Sequence, residues 1–276
     1  VLLKNKLLSF QSVQLQTFQF PAKSAKPLAL THNSNTKNEE FMAASTLALF
    51  DYLRKSRSRG FVLSLSGGAD SSTIAILVAD MVKRGVEMLG VPLFLKKIHR
   101  EGDISSSSSI QEITSEIFTT AYQGTKNSSS ATLNSAQNLA KSLGATFYHW
   151  TIDEEVNSYT HKIEQALGRK LNWEQDDIAL QNIQARARSP IIWMLANIKK
   201  FLLLSTSNRS EGDLGYATMD GDTSGSISPI AAVSKDFILQ WLRWAEKEKA
   251  YKGLSHVNAL QPTAELRPQE RSQTDE

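Results

Sequence analysis

Phe61-Val-Leu-Ser-Leu-Ser-Gly-Gly-Ala-Asp-Ser-Ser72 is the stretch on which the reading of the fold turns. Residues 61–65 are a short apolar run, which suits a buried strand. The turn 66–69 follows, and 71–84 then reads as a helix that Gly85 stops. Gly67 and Gly68 let the backbone approach a bound group with no Cβ in the way. The N–H groups of such a loop and of the helix start point at an anion, and the helix dipole favours negative charge there. Ser66, Ser71 and Ser72 add hydroxyl donors. The string is a phosphate cradle without the Gly-Lys-Ser/Thr ending of a Walker A loop. Asp70 repels phosphate at this spot unless a cation lies between them, and a Mg²⁺ shared by Asp70 and phosphate oxygens resolves the conflict. A plain capped turn is the simpler reading of a lone Gly-Gly, but the whole string outweighs it.

Outward from this loop, apolar runs alternate with helical patterns. A helix is expected over 39–57, strands over 117–122, 145–152 and 201–204, and helices over 131–143, 153–167, 178–199 and 234–249. Pro190 should kink the third of these helices. Residues 7–20 alternate like a strand, and 21–38 read as a linker. Residues 86–110, with their five-serine run 105–109, read as a mobile insertion, and 212–228 as a polar loop. Strands alternating with helices predict an α/β fold, a Rossmann-like parallel sheet with helices on both faces. Ligands of such sheets bind beyond the carboxyl ends of the strands, which singles out the loops 66–72 and 206–211.

Composition narrows the function. The chain has 276 residues, 41% apolar and 21% charged, with no cysteine and a net charge of +3. Such a chain is neither disordered nor fibrous, and no run approaches the ~18 apolar residues of a membrane span. A thiolate zinc site and a cysteine nucleophile are excluded, and a reducing compartment, the cytoplasm, fits. Five lysines and no acid lie in residues 1–38, leaving a near-neutral body unlike a nucleic-acid binder. No signal peptide is visible. Both ends read as cuts in a longer chain. Five histidines are scattered with no i, i+4 pair and receive no role.

Ser66-Gly-Gly-Ala-Asp-Ser resembles the pyrophosphate loop of the N-type ATP pyrophosphatases, whose fold is that of the adenine nucleotide alpha hydrolases. Within that superfamily, five segments resemble the NAD⁺ synthetases. They are Asn182-Ile-Gln-Ala-Arg-Ala-Arg188, Ser205-Thr-Ser-Asn-Arg-Ser-Glu211, 215–225, Lys235 with its surroundings, and Pro262-Thr-Ala-Glu-Leu-Arg-Pro268. Tyr122-Gln-Gly-Thr-Lys-Asn-Ser-Ser129 is similar to the glutamine-dependent branch. The resemblance implies an ATP-dependent amidation of deamido-NAD⁺ that releases AMP and pyrophosphate. It also implies that 39–276 is a synthetase domain lacking its C-terminal helices, and that 1–38 is the remnant of a nitrilase-type glutaminase domain with its linker. That glutaminase needs a cysteine, so this chain should use free ammonia. Family members are dimers, so a homodimer or higher oligomer is implied.

The resemblance also distributes roles. ATP contacts fall to Ser64, Leu65, Ser66, Gly67, Gly68, Ala69, Asp70, Ser71, Ser72, Thr206, Lys235 and Thr263. Deamido-NAD⁺ contacts fall to Asn182, Arg186, Glu211, Asp220 and Asp222. Mg²⁺ falls to Asp70 and Glu211, and the catalytic positions are Asp70 and Lys235. Read without the resemblance, Glu211 is a first-turn carboxylate, Asp220 and Asp222 are turn residues, and Lys235 is a surface lysine. Arg186 and Arg188 face different ways, so one can hold phosphate while the other pairs with an acid. Trp241 and Trp244 share a helix face and read as packing. Two rivals remain: another ATP pyrophosphatase, such as a GMP synthetase or a tRNA-modifying adenylase, and a nucleotide-binding module without turnover.

Overall fold

The apolar runs assemble into a four-stranded sheet, all parallel, in the computed structural model, which describes residues 34–260 and 266–267. In chain order its elements are α1 (Ser34–Ser56), β1 (Phe61–Ser64), α2 (Ala69–Leu89), α3 (Val91–Lys97), α4 (Ile110–Ile117), β2 (Phe118–Gly124) and α5 (Ser130–Leu143). Then come β3 (Thr146–Thr151), α6 (Asp153–Leu167), α7 (Asp177–Lys199), β4 (Leu202–Leu204), α8 (Arg209–Leu214), α9 (Lys235–Lys249) and α10 (Leu254–Ala259). The expected strand over 7–20, the linker residues 21–33 and Thr263 lie outside the described residues.

Strand order is β3-β2-β1-β4, so the chain moves outward from β1 through β2 to β3 and then returns to β1's other side as β4. That reversal makes the carboxyl ends of β1 and β4 the switch point, where α/β sheets take their ligands. Side-chain alternation divides the core. Phe61, Leu63, Phe118 and Tyr122 pack with Ile74, Leu77 and Val78 of α2 in the main core. Val62, Ala121 and Leu203 pack on the opposite face against Ile192 and Ala196 of α7. Helices thus cover both faces, as expected, and each fully buried Leu, Ile or Phe contributes about 1.5–3 kcal/mol. Trp241 is fully buried and Trp244 nearly so, which makes them packing residues. Among the described residues no helix is long and apolar enough to cross a membrane.

The structure departs from the sequence reading in four places. Residues 34–38, expected in a linker, form the first turns of α1, and Trp241 Nε1 donates to Asn38 O. Gly85 does not stop α2, which runs on to Leu89. A Cβ at Gly85 would stand 2.4 Å from the ring of Phe94, so the glycine makes room for α3's buried aromatic. The serine run is no loose insertion. Ser109 caps α4 in a capping box with Glu112, and Ile113 and Ile117 enter the main core. Helix α10 was not anticipated, although its Leu254 and Val257 are buried.

Candidate active site

The loop after β1 builds the floor. Gly67 is buried at φ +82°, its carbonyl accepting from Ser135 Oγ at 3.2 Å. Gly68 is the N-cap of α2 and gives no side-chain cap, so the N–H groups of the first turn are open to an outside anion. Ser66 Oγ and Ser71 Oγ lie 3.1 Å apart, and Ser66 Oγ also accepts from Gly68 N.

The loop after β4 builds the wall. Asn208 and Glu211 form a capping box on α8: Asn208 Oδ1 accepts from Glu211 N at 3.0 Å, and Glu211 Oε2 accepts from Asn208 N at 3.2 Å. The buried Asn208 then reaches across the switch point and donates to Asp70 Oδ1 at 3.0 Å. Lys235, opening α9, completes the cluster with its Nζ 2.5 Å from Asp70 Oδ2 and 3.9 Å from Glu211 Oε1. Two carboxylates therefore share one ammonium at the mouth of an anion cradle.

Burial, and then the neighbouring Asp70 charge, push the Glu211 carboxyl up to about 7. The folded protein thus holds an extra proton between about pH 4.5 and 7 and loses stability as pH rises through that window. Glutamine at this position stays neutral and keeps the capping box. In chelator-treated protein, Glu211→Gln should be more stable than wild type by about 2 kcal/mol at pH 8 and equal to it at pH 4. Thermal melts at the two pH values check this, and the same difference at both would refute it.

The cluster fits a hard divalent cation. Asp70 and Glu211 offer two oxygen donors beside a cradle for phosphate oxygens, the pairing Mg²⁺ prefers when it binds with a substrate. The mutual repulsion at Glu211 is the unfavourable charge that such a cation relieves. Among the described residues, no group of three or more His, Cys, Asp or Glu side chains is placed to hold a metal ion.

All of this faces one cleft of about 960 Å³. Ser64, Ser66, Gly68, Ala69, Asp70, Ser71, Thr206, Glu211 and Lys235 line it; Leu65, Gly67 and Ser72 are buried behind it. Leu65 donates its N–H to Ala121 O. The far wall is a stripe of α7 formed by Ile178, Gln181, Asn182, Ala185, Arg188, Ser189 and Ile192. Asn182 belongs to it and accepts from Thr218 Oγ1 at 2.8 Å. Arg186 does not: it is exposed and donates to Met219 O at 3.0 Å. The stripe advances by three and four residues alternately, so it leaves Asn182 through Ala185 and Ser189 and bypasses Arg186. Arg188 takes the inward place, its Nε donating to Gln123 O. Asp222 lines the cleft and accepts from Thr218 N. Asp220 stands outside the cleft at φ +61°, its carbonyl accepting from Ser189 Oγ.

Sequence reasoning gave Asn208 and Gln123 no role and left Arg188 open between phosphate and an acidic partner. Asn208 carried a signal, since Asn-x-x-Glu is a capping-box pattern. The other two become visible only when strands and helix are assembled.

A family model described as NAD synthase matches residues 41–276. A glutamine-dependent NAD(+) synthetase of Oryza sativa subsp. indica is 35% identical over 251 residues, covering 83% of this chain and 34% of that protein. A crystal structure of a glutamine-dependent NAD(+) synthetase from Cytophaga hutchinsonii is 56% identical at a TM-score of 0.79, over 83% of this chain and 41% of that one. An NH3-dependent NAD synthetase from Campylobacter jejuni, 22% identical, shares the fold at a TM-score of 0.58 over 79% of this chain and 78% of its own. The chain spans between a third and two fifths of the curated relatives it matches.

Proposed function

The chain belongs to the NAD synthase family, and from that premise we propose that it amidates deamido-NAD⁺ to NAD⁺ with ATP. The observation that carries this reading is the Asp70–Lys235–Glu211 cluster at the phosphate cradle, in one cleft with the polar stripe of α7.

A nicotinate carboxylate resists attack because its oxygen is a poor leaving group. Its oxygen therefore attacks the α-phosphorus of ATP, the bond to the β-phosphate oxygen breaks, and pyrophosphate departs. Ammonia adds to the acyl carbon of the adenylate, a proton is lost, and AMP leaves with the carboxylate oxygen. The chain's part is positioning and charge compensation. The N–H groups at the start of α2, with Ser66 and Ser71, hold phosphates, and Lys235 neutralises the charge that grows on departing pyrophosphate. Asp70 and Glu211 would hold Mg²⁺, which supplies Lewis-acid compensation of phosphate charge when bound. Thr206, at the end of β4, contacts ATP, as Thr263 does in this reading.

Asn182 and Asp222 take the dinucleotide, while Arg186 and Asp220 support it by shaping the loop 215–225. Asn182→Ala should raise the apparent KM for deamido-NAD⁺ about tenfold and change that for ATP little, the loss of one hydrogen bond. Steady-state kinetics varying each substrate in turn measure it; equal losses for both substrates would place the α7 stripe on the wrong ligand.

The partners follow from the same reading. In this reading residues 1–33 are the remnant of a preceding glutaminase domain with its linker, and the synthetase, which works in the cytoplasm, begins with α1. Tyr159, Ile163 and Leu167 form an exposed apolar stripe on α6, and Met194 and Ile198 are exposed on α7. Faces of this kind mark an interface, and we assign them to a homodimer; a monomer in light scattering at micromolar concentration would refute it. The decisive experiment is pyrophosphate release from ATP and Mg²⁺. Release should need deamido-NAD⁺, and ammonium, not glutamine, should support NAD⁺ formation. Release that ignores deamido-NAD⁺, or that follows a purine nucleotide in its place, overturns the function.

A further inference from the structure

At the cleft floor, among the residues that line it, lies a nearly buried amide that the proposed chemistry does not use. We propose that Gln123 sets the hydrogen-bond polarity of Ser64, making its hydroxyl a donor to an acceptor atom of the bound nucleotide. Gln123 is 5% exposed and sits at the carboxyl end of β2. In the parallel register it is opposite Trp150 of β3, while Ser64 of β1 is opposite Ala121, two residues earlier on β2. Period-2 alternation therefore puts the side chains of Ser64, Gln123 and Trp150 on one face of the sheet.

Chemistry orders the three. An indole N–H can only donate. Trp150 Nε1 lies 3.3 Å from Gln123 Oε1, so that oxygen accepts and the orientation of the amide is decided. The amide nitrogen then faces Ser64 and donates to its Oγ at 3.1 Å. Because Ser64 Oγ accepts this bond, its own proton is directed elsewhere, and Ser64 lines the cleft two residues before Ser66 of the phosphate cradle. The polarity runs one way, from indole to amide to hydroxyl to ligand. Helix α7 clamps the same residue from outside, since Arg188 Nε donates to Gln123 O at 3.2 Å. Gln123 is thus a positioning residue that acts through Ser64. The site should favour a nucleotide that presents an oxygen or unprotonated nitrogen there and reject one that presents a donor.

The inference rests on the reading that the nucleotide lies over β1 and β2. The probe is α,β-methylene ATP with Mg²⁺, titrated calorimetrically into wild type, Gln123→Met, Ser64→Ala and the double variant. Each single change should weaken binding about tenfold. The double variant should be no weaker than either single, because both remove one interaction. Deamido-NAD⁺ affinity should stay unchanged. A hundredfold, additive loss in the double variant, or Gln123→Met binding like wild type, overturns the proposal. Should Gln123→Met not fold, Gln123→Glu keeps the shape and the acceptor for Trp150 while removing the donor to Ser64; it should show the same loss, and wild-type affinity there is equally fatal. Wild type that binds the analogue but releases no pyrophosphate with deamido-NAD⁺ sinks the proposed reaction and leaves this cycle to decide the relay. Wild type that does not bind the analogue overturns both.

Discussion

Asp70→Asn should lower Mg²⁺-dependent pyrophosphate release about a hundredfold while leaving the protein folded. The amide has the carboxylate's shape, and its oxygen still accepts from Asn208 Nδ2. What disappears is the negative charge that faces Lys235 and, in the proposed function, the cation. Stability should move little, because two effects oppose each other. The ion pair with Lys235 is lost, but so is the repulsion that helps push Glu211 up to about 7. Turnover should recover in part at raised Mg²⁺. Initial rates across a Mg²⁺ series, with a melting curve for the variant, make the measurement. Wild-type turnover with an unaltered Mg²⁺ dependence would remove Asp70 from the machinery.

Gly67→Ala should be strongly destabilising. A Cβ there would lie 2.3 Å from Thr132 O and 3.3 Å from Ala136 N, both backbone atoms of α5, and φ is +82°. Neither the strain nor the overlap can be relieved by a side-chain rotation. Loop or helix must shift, at a cost of about 2–4 kcal/mol, and the cradle's N–H groups lose their aim. The neighbouring glycine provides the control. A Cβ at Gly68 meets only Ser66 Oγ at 3.4 Å, with φ at −83°, but it faces the cleft. Gly68→Ala should therefore melt like wild type, within about 0.5 kcal/mol, while nucleotide binding weakens. Equal melting temperatures for Gly67→Ala and wild type would show that the loop is not wedged against α5.

Much of the architecture was legible because it is written in local patterns. Four apolar runs became four parallel strands with ends displaced by one or two residues, and α5, α6 and α9 began and stopped near their expected limits, α5 at Gly144 in the left-handed conformation. The misreadings share a cause, which is that the deciding partner lies far along the chain. Gly85 looks like a stop until Phe94 folds back over it. The serines 105–109 look like a loose tract until Ser109 and Glu112 close a cap and α4 turns apolar residues inward. In the candidate site, Asp70, Lys235 and Glu211 came from motifs, and the cleft gathers them. The resemblance paired Asn182 with Arg186, and spacing agreed, since residues four apart share a helix face. Spacing could not say which edge of that face meets the cleft, and Met219 O draws Arg186 to the outside.

The short contact between Lys235 and Asp70 has a thermodynamic consequence. The ammonium compensates the carboxylate of Asp70, so in the proposed function a cation arriving alone meets a carboxylate already engaged. A phosphate that draws Lys235 toward itself releases Asp70 at the same moment. The two binding events are therefore linked: each raises the affinity of the other, and by the same factor. Titrating Mg²⁺ with and without the nucleotide, and the nucleotide with and without Mg²⁺, should return two equal ratios. In the proposed function this ion pair would act as an interlock, keeping the Asp70 carboxylate from capturing a metal before there is a phosphate to share it.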